Sequence, residues 1–290
     1  MVPQLLAPSF PAGIPAPIGG IYNINPGQAR DLLGKLIEQN LRTDNPQPDL
    51  STYRGLNRLA LDLKSGSLSQ AAAVKGQIAG PITAAGVFLC DSVNLASDYG
   101  FLAEIGPVIL RTATAQINLL RKATTLPITV WLDEPLLEQF IVRSDRHLVR
   151  AGLELLKDLV GSIRSAGAAV GIHCCSFPPL VHLAALEPEI VSFDAWNGLE
   201  RLFDGKSEIA LIDSDITLAL GIVPTGPELI SVTAGMLEEK LNRLIFDRYS
   251  RSSLQHRLIL TPSCGLGLNT EPEAGRAFDL LDRLRCSLLN

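Results

Sequence analysis

The stretch VGIHCC, Val170 to Cys175, decides how the rest of the chain is read. Apolar Val170 and Ile172 alternate with Gly171 and His173, the period-two pattern of a β-strand. Alternation sends His173 and Cys175 to one face, about 7 Å apart along the strand. Cys174 turns to the other face with Val170 and Ile172, where helices would cover it. An imidazole and a thiolate converging at a strand end are half of a zinc site. A second strand-like run, Leu258 to Leu260, leads into TPSCGLG, Thr261 to Gly267, and puts Cys264 at its exit. His173, Cys175 and Cys264 are therefore the candidate ligands of one Zn²⁺. The competing reading is a strand histidine beside a buried free thiol that serves only as core.

The bulk properties exclude several classes. A chain of 290 residues with 47% hydrophobic content can bury one large core or two small ones. The net charge of −5, with no block of Lys or Arg, argues against a nucleic-acid surface. No apolar run reaches the length of a membrane span. Residues 1–17 carry five prolines and no charged leader, so an extended arm is expected there rather than a signal peptide. Five cysteines, two of them adjacent, fit a reducing compartment better than a disulfide framework, and a cytoplasmic location is expected.

Outward from VGIHCC, strands alternate with helical patterns. Strands are expected at Ile18–Ile21, Ala73–Ala79, Pro127–Leu132, Ile190–Phe193, Ile216–Val223 and into TPSCG. Helices are expected from Asn25-Pro26 to about Gln39, weakly over 51–66, and from Pro81 to about Leu89. Further helices are expected over Phe101–Ala123, Asp145–Ala166, Pro178–Leu186 and Pro227–Arg248, and from Pro272 onward. Cys90 and Cys286 lie on apolar helical stretches and read as core.

The alternation implies βα units and a parallel sheet. Seven or eight units suit a single (β/α)₈ TIM barrel over residues 18–290 with a proline-rich N-terminal arm over 1–17; an open doubly wound sheet is the runner-up. No GxGxxG loop occurs. Gly80-Pro81-Ile82-Thr83, Asp133-Glu134-Pro135, His173 with Cys175, Asp194 and Cys264 all fall where a strand ends, the rim on which barrel enzymes build their sites. Asp133 and Glu134 could instead cap a helix; Asp133 reads as functional and Glu134 as structural. Trp131 and Trp196 could line a pocket or fill core.

These segments resemble the cobalamin-independent methionine synthase family, within the superfamily that includes uroporphyrinogen decarboxylase. VKGQIAGPIT is similar to the family's glycine-proline-threonine segment and VWLDEPLL to its Asp-Glu-Pro segment. GIHCC carries the His-x-Cys pair, VSFDA is similar to the strand supplying an acidic residue, and TPSCGLG to the segment with the last cysteine. The resemblance runs from Ile18 onward. It implies a (β/α)₈ barrel and a zinc held by His173, Cys175 and Cys264, with Asp194 at the place of a fourth, glutamate ligand. It also implies a substrate thiol such as homocysteine, its amino group held by Asp133, with Gly80 and Thr83 at the substrate.

The departures carry chemical content. The full-length enzymes have a second, N-terminal barrel that helps to bind folate, whereas about one barrel is expected here. Ile18-Gly19-Gly20 stands where the family has Ile-Gly-Ser. GIVPTGP, Gly221 to Pro227, stands where the family has a histidine that protonates the folate leaving group. Expelling an amine needs a general acid; expelling Co(I) from a methylcorrinoid does not. The expected activity is thus a zinc-dependent methyltransferase acting on a bound thiol, with methylcobalamin or a corrinoid protein as methyl donor. The rival readings are a non-catalytic zinc barrel that binds a corrinoid or a thiol, and, less favoured, a tetrapyrrole decarboxylase.

Overall fold

The computed structural model describes residues 50, 53–89, 99–212, 214–249 and 257–289. The arm over 1–17, the strand expected at Ile18–Ile21, the helix expected from Asn25-Pro26 and Cys90 lie outside the described residues. The chain forms two compact units, Met1–Ile172 and His173–Asn290.

In the first unit, helix α1 (Arg54–Lys64) precedes strand β1 (Val74–Ala79), α2 (Pro81–Leu89) and the long α3 (Tyr99–Arg121). Strand β2 (Ile128–Asp133), α4 (Leu137–Arg143), α5 (Arg146–Ser165) and β3 (Ala169–Cys174) follow. β1 and β2 pair in parallel from Val74↔Ile128 to Ala79↔Asp133. α3 packs on β1 and α5. Its buried stripe, Ile105, Ile109, Ala113, Ile117 and Leu120, recurs at helical spacing. α5 starts where the Asp145 carboxylate accepts the amides of His147 and Leu148.

In the second unit, the last residues of β3 lead to α6 (Leu180–Ala184), β4 (Ile190–Phe193), α7 (Ala195–Gly198) and α8 (Lys206–Ile212). Then come β5 (Thr217–Val223), α9 (Ala234–Leu241), β6 (Leu258–Pro262) and α10 (Glu271–Leu289). β4–β5 and β5–β6 are parallel pairs, with a bulge in β5 between Gly221 and Val223. The buried residues of β4 and β5 form near-continuous apolar runs, as parallel strands covered on both faces require.

The strands neighbour one another in chain order, β1 to β6. The described residues therefore give an open parallel sheet of six strands, where the sequence reading expects a closed barrel of eight. Val74 and Gly80 donate their amides towards β2, to Pro127 and Asp133 carbonyls. By alternation, the N–H and C=O of Gln77 point to the opposite edge. There the Gln116 side chain of α3 accepts from Gln77 N at 3.1 Å and donates to Gln77 O at 3.0 Å. A side chain thus holds the edge positions that a further strand would use.

The helix expected over Pro227–Arg248 is broken. A 3₁₀ turn over Pro227–Ile230 is followed by α9 and a π turn over Asn242–Phe246. The break sits at Thr233, whose extended backbone cannot continue a helix and whose hydroxyl caps Met236 N. Arg276 of α10 takes up the Leu229, Ile230 and Val232 carbonyls left by the break. Cys286, expected in the core, is exposed on α10. Among the described residues no helix is long and apolar enough to cross a membrane.

Candidate metal centre

His173, Cys175 and Cys264 come together. One ligand atom of each lies within 4.8 Å of the others. His173 Nε2 is 3.5 Å from Cys175 Sγ, and Cys175 Sγ is 3.9 Å from Cys264 Sγ. A tetrahedral zinc with Zn–S of about 2.3 Å and Zn–N of about 2.0–2.1 Å holds two sulfurs about 3.8 Å apart, and a sulfur and a nitrogen about 3.6 Å apart. The two separations thus match what one cation imposes on this donor set.

Each ligand is placed by its own local structure. Val170, Ile172 and Cys174 are buried on one face of β3, so parity turns His173 and Cys175 to the other. Cys175 follows the strand, and its loop is pinned by Phe177, packed edge-on against Phe193 with ring centroids 5.3 Å apart. Cys264 is aimed by the bulge. There Ser263 N donates to Val223 O at 2.7 Å, one residue out of the regular register. The bulge needs Gly221, because a Cβ there would stand 2.6 Å from Phe193 O and 2.7 Å from Ser263 Cα. The loop after β5 is tied to the cysteine loop by Thr225 Oγ1 at 3.3 Å from Ser263 Oγ, and by Asn269 Nδ2 donating to Thr225 O.

The electrostatics favour thiolate. The Cys264 thiol is drawn well below its ordinary range, chiefly by hydrogen bonding with Cys175 and then with His173, while burial opposes the shift. His173 Nδ1 lies 3.0 Å from the hydroxyl of buried Ser192 on β4.

Asp194, expected beside the metal, is not in this cluster. Its carboxylate accepts Asn197 N at 3.1 Å and Asn197 Nδ2 at 2.7 Å, capping α7.

The remaining site candidates lie in the first unit. Glu134 is fully buried and accepts from Ile82 N, Thr83 N and Thr83 Oγ1 at 2.7–2.9 Å, across the first turn of α2. Burial pushes its carboxyl up to about 7 against the pull of those donors. Gly80 is required here, since a Cβ would overlap the Glu134 carboxylate. Gly80 and Thr83 are therefore engaged with Glu134. Asp133, also buried, accepts from Gln77 Nε2.

Sequence reasoning passed over Ser192, Lys75 and Gln77. The ammonium of Lys75 stands 3.9 Å from the Trp131 ring centroid, and burial lowers it to about 8 against the attraction of Asp133. Polar residues alternating inside the apolar runs AVKGQIA and IVSF were the available signal. Trp131 is itself accommodated by Gly171, where a Cβ would meet the indole at 2.9 Å.

No protein-family model matches the chain, and no curated protein matches it. Among the solved structures that show a distant likeness are the following two. One is assigned as a vitamin-B12-independent methionine synthase from Listeria monocytogenes. Its TM-score is 0.46 at 15% identity, covering 80% of this chain and 68% of that one. The other is assigned as an orotidine 5'-phosphate decarboxylase from Streptomyces avermitilis. Its TM-score is 0.32 at 12% identity, covering 80% of this chain and 96% of that one. Neither likeness bears on function.

Proposed function

We propose that this protein is a zinc-dependent methyltransferase that moves a methyl group to a bound thiol such as homocysteine, in the manner of cobalamin-independent methionine synthases. The observation that carries the reading is the pair of donor separations, 3.5 Å and 3.9 Å, in a set of one imidazole and two thiols. His173 Nε2, Cys175 Sγ and Cys264 Sγ would hold the ion, and three protein ligands leave a tetrahedral ion one open place. Zinc, when bound, holds an incoming thiol as its thiolate at neutral pH. Asp194 stays with Asn197 as the cap of α7.

The methyl donor in this reading is methylcobalamin or a corrinoid protein. A methylcorrinoid would supply a methyl group whose transfer to sulfur leaves the C–Co electron pair on cobalt, so the chain's own residues would need to provide no acid. That suits GIVPTGP, which has no histidine to protonate a folate amine. The same reading makes the six strands part of a (β/α)₈ barrel. It also places the protein in a reducing compartment such as the cytoplasm, where its thiols stay free.

The test is methionine formation from homocysteine with methylcobalamin and with methyltetrahydrofolate, using zinc-loaded protein. Turnover with methylcobalamin alone supports the proposal. Zinc binding with no turnover on either donor favours a non-catalytic carrier of thiol or corrinoid. Turnover with the folate at a rate like the full enzymes removes the corrinoid donor.

A further inference from the structure

We infer that Ser192 is a positioning residue of the metal centre: its hydroxyl selects the tautomer and fixes the ring plane of His173. The inference rests on the metal reading above. A neutral imidazole offers one lone pair, so a ring that binds metal through Nε2 must carry its proton on Nδ1. Nδ1 stands 3.0 Å from Ser192 Oγ, a hydrogen-bonding distance, while Nε2 faces Cys175 Sγ. Nδ1–H then donates to the hydroxyl oxygen.

Ser192 is held firmly enough for the role. It is 3% exposed, between Val191 and Phe193, which are fully buried. Its backbone lies in β4 opposite Ala219 of β5. A polar side chain in the middle of the apolar strand IVSF costs stability unless it has a partner, and His173 is the partner the structure gives it. The partner of a metal-bound histidine is commonly a carboxylate or a carbonyl, which makes the ring a stronger donor. A hydroxyl orients the ring with less added basicity.

The test compares zinc affinity of the full chain, by competition with a chromogenic chelator, in wild type, Ser192→Ala and Ser192→Thr. The thermal midpoint of the zinc-free proteins is read alongside. Ser192→Ala is expected to weaken zinc binding about 10–100-fold, the usual effect of losing such a partner. The zinc-free midpoint should stay near wild type, and threonine should recover most of the affinity. Equal affinity in wild type and Ser192→Ala overturns the role of the serine and leaves the metal reading standing. A wild type that binds no zinc overturns both. Imidazole ¹⁵N NMR of zinc-loaded wild type gives a check that needs no variant. His173 should be protonated at Nδ1, and protonation at Nε2 would refute the inference.

Discussion

The Sγ atoms of Cys175 and Cys264 lie 3.9 Å apart although 89 positions separate the residues in the chain. Cys175 is delivered by the end of β3, and Cys264 by the bulge between β5 and β6. Two thiols this close with no disulfide between them, beside an imidazole nitrogen, have a common use as ligands of one ion. Replacing Cys264 by serine should abolish stoichiometric zinc, measured by plasma emission on dialysed protein. Metal retained in full would remove Cys264 from the site.

Gly221→Ala should act at a distance on the same centre. The added Cβ meets backbone, Phe193 O and Ser263 Cα, rather than a flexible side chain. The strands must part, at a cost of about 1–3 kcal/mol. Cys264 shifts with Ser263, so zinc affinity should fall along with the unfolding free energy. Unchanged affinity in a destabilised variant would show that the bulge does not aim the cysteine.

Asp194→Ala separates capping from ligation. Loss of the cap on α7 should cost about 1 kcal/mol, with zinc stoichiometry and affinity as in wild type. A marked loss of affinity would make Asp194 a ligand in the loaded protein.

Glu134 should leave a mark on the pH dependence of stability. Its folded-state pKa of about 7 lies above the ordinary glutamate value of about 4.3, because the carboxyl is buried. Between those values the folded protein keeps a proton that the unfolded chain releases. Stability from this group is therefore greatest below about pH 4 and is lost as pH rises to about 7, on the order of 3 kcal/mol in total. Glu134→Gln cannot titrate, so denaturant unfolding from pH 5 to pH 8 should show a flatter decline than wild type. Parallel declines would contradict the assignment.

Much of this was legible in the chain. Strand parity in VGIHCC gave the face of His173 and Cys175 and the burial of Cys174, because a period of two is local. Ile190–Phe193 appears at the bounds expected. What escaped reading depends on distant partners. Gln116 holding the edge of Gln77 cannot be seen from either segment alone. Ser192 in IVSF looks like a weak strand residue until His173 stands opposite it. The break at Thr233 was hidden because apolar periodicity continues through it, and only the extended backbone and its cap reveal it.

X-ray absorption at the zinc edge tests the central claim most directly. The zinc-loaded protein should show two sulfurs at about 2.3 Å and two lighter nitrogen or oxygen neighbours at about 2.0–2.2 Å. Addition of homocysteine should replace one light neighbour by a third sulfur. A shell that already holds four protein ligands, or one that homocysteine leaves unchanged, would contradict an open zinc centre built to receive a thiol.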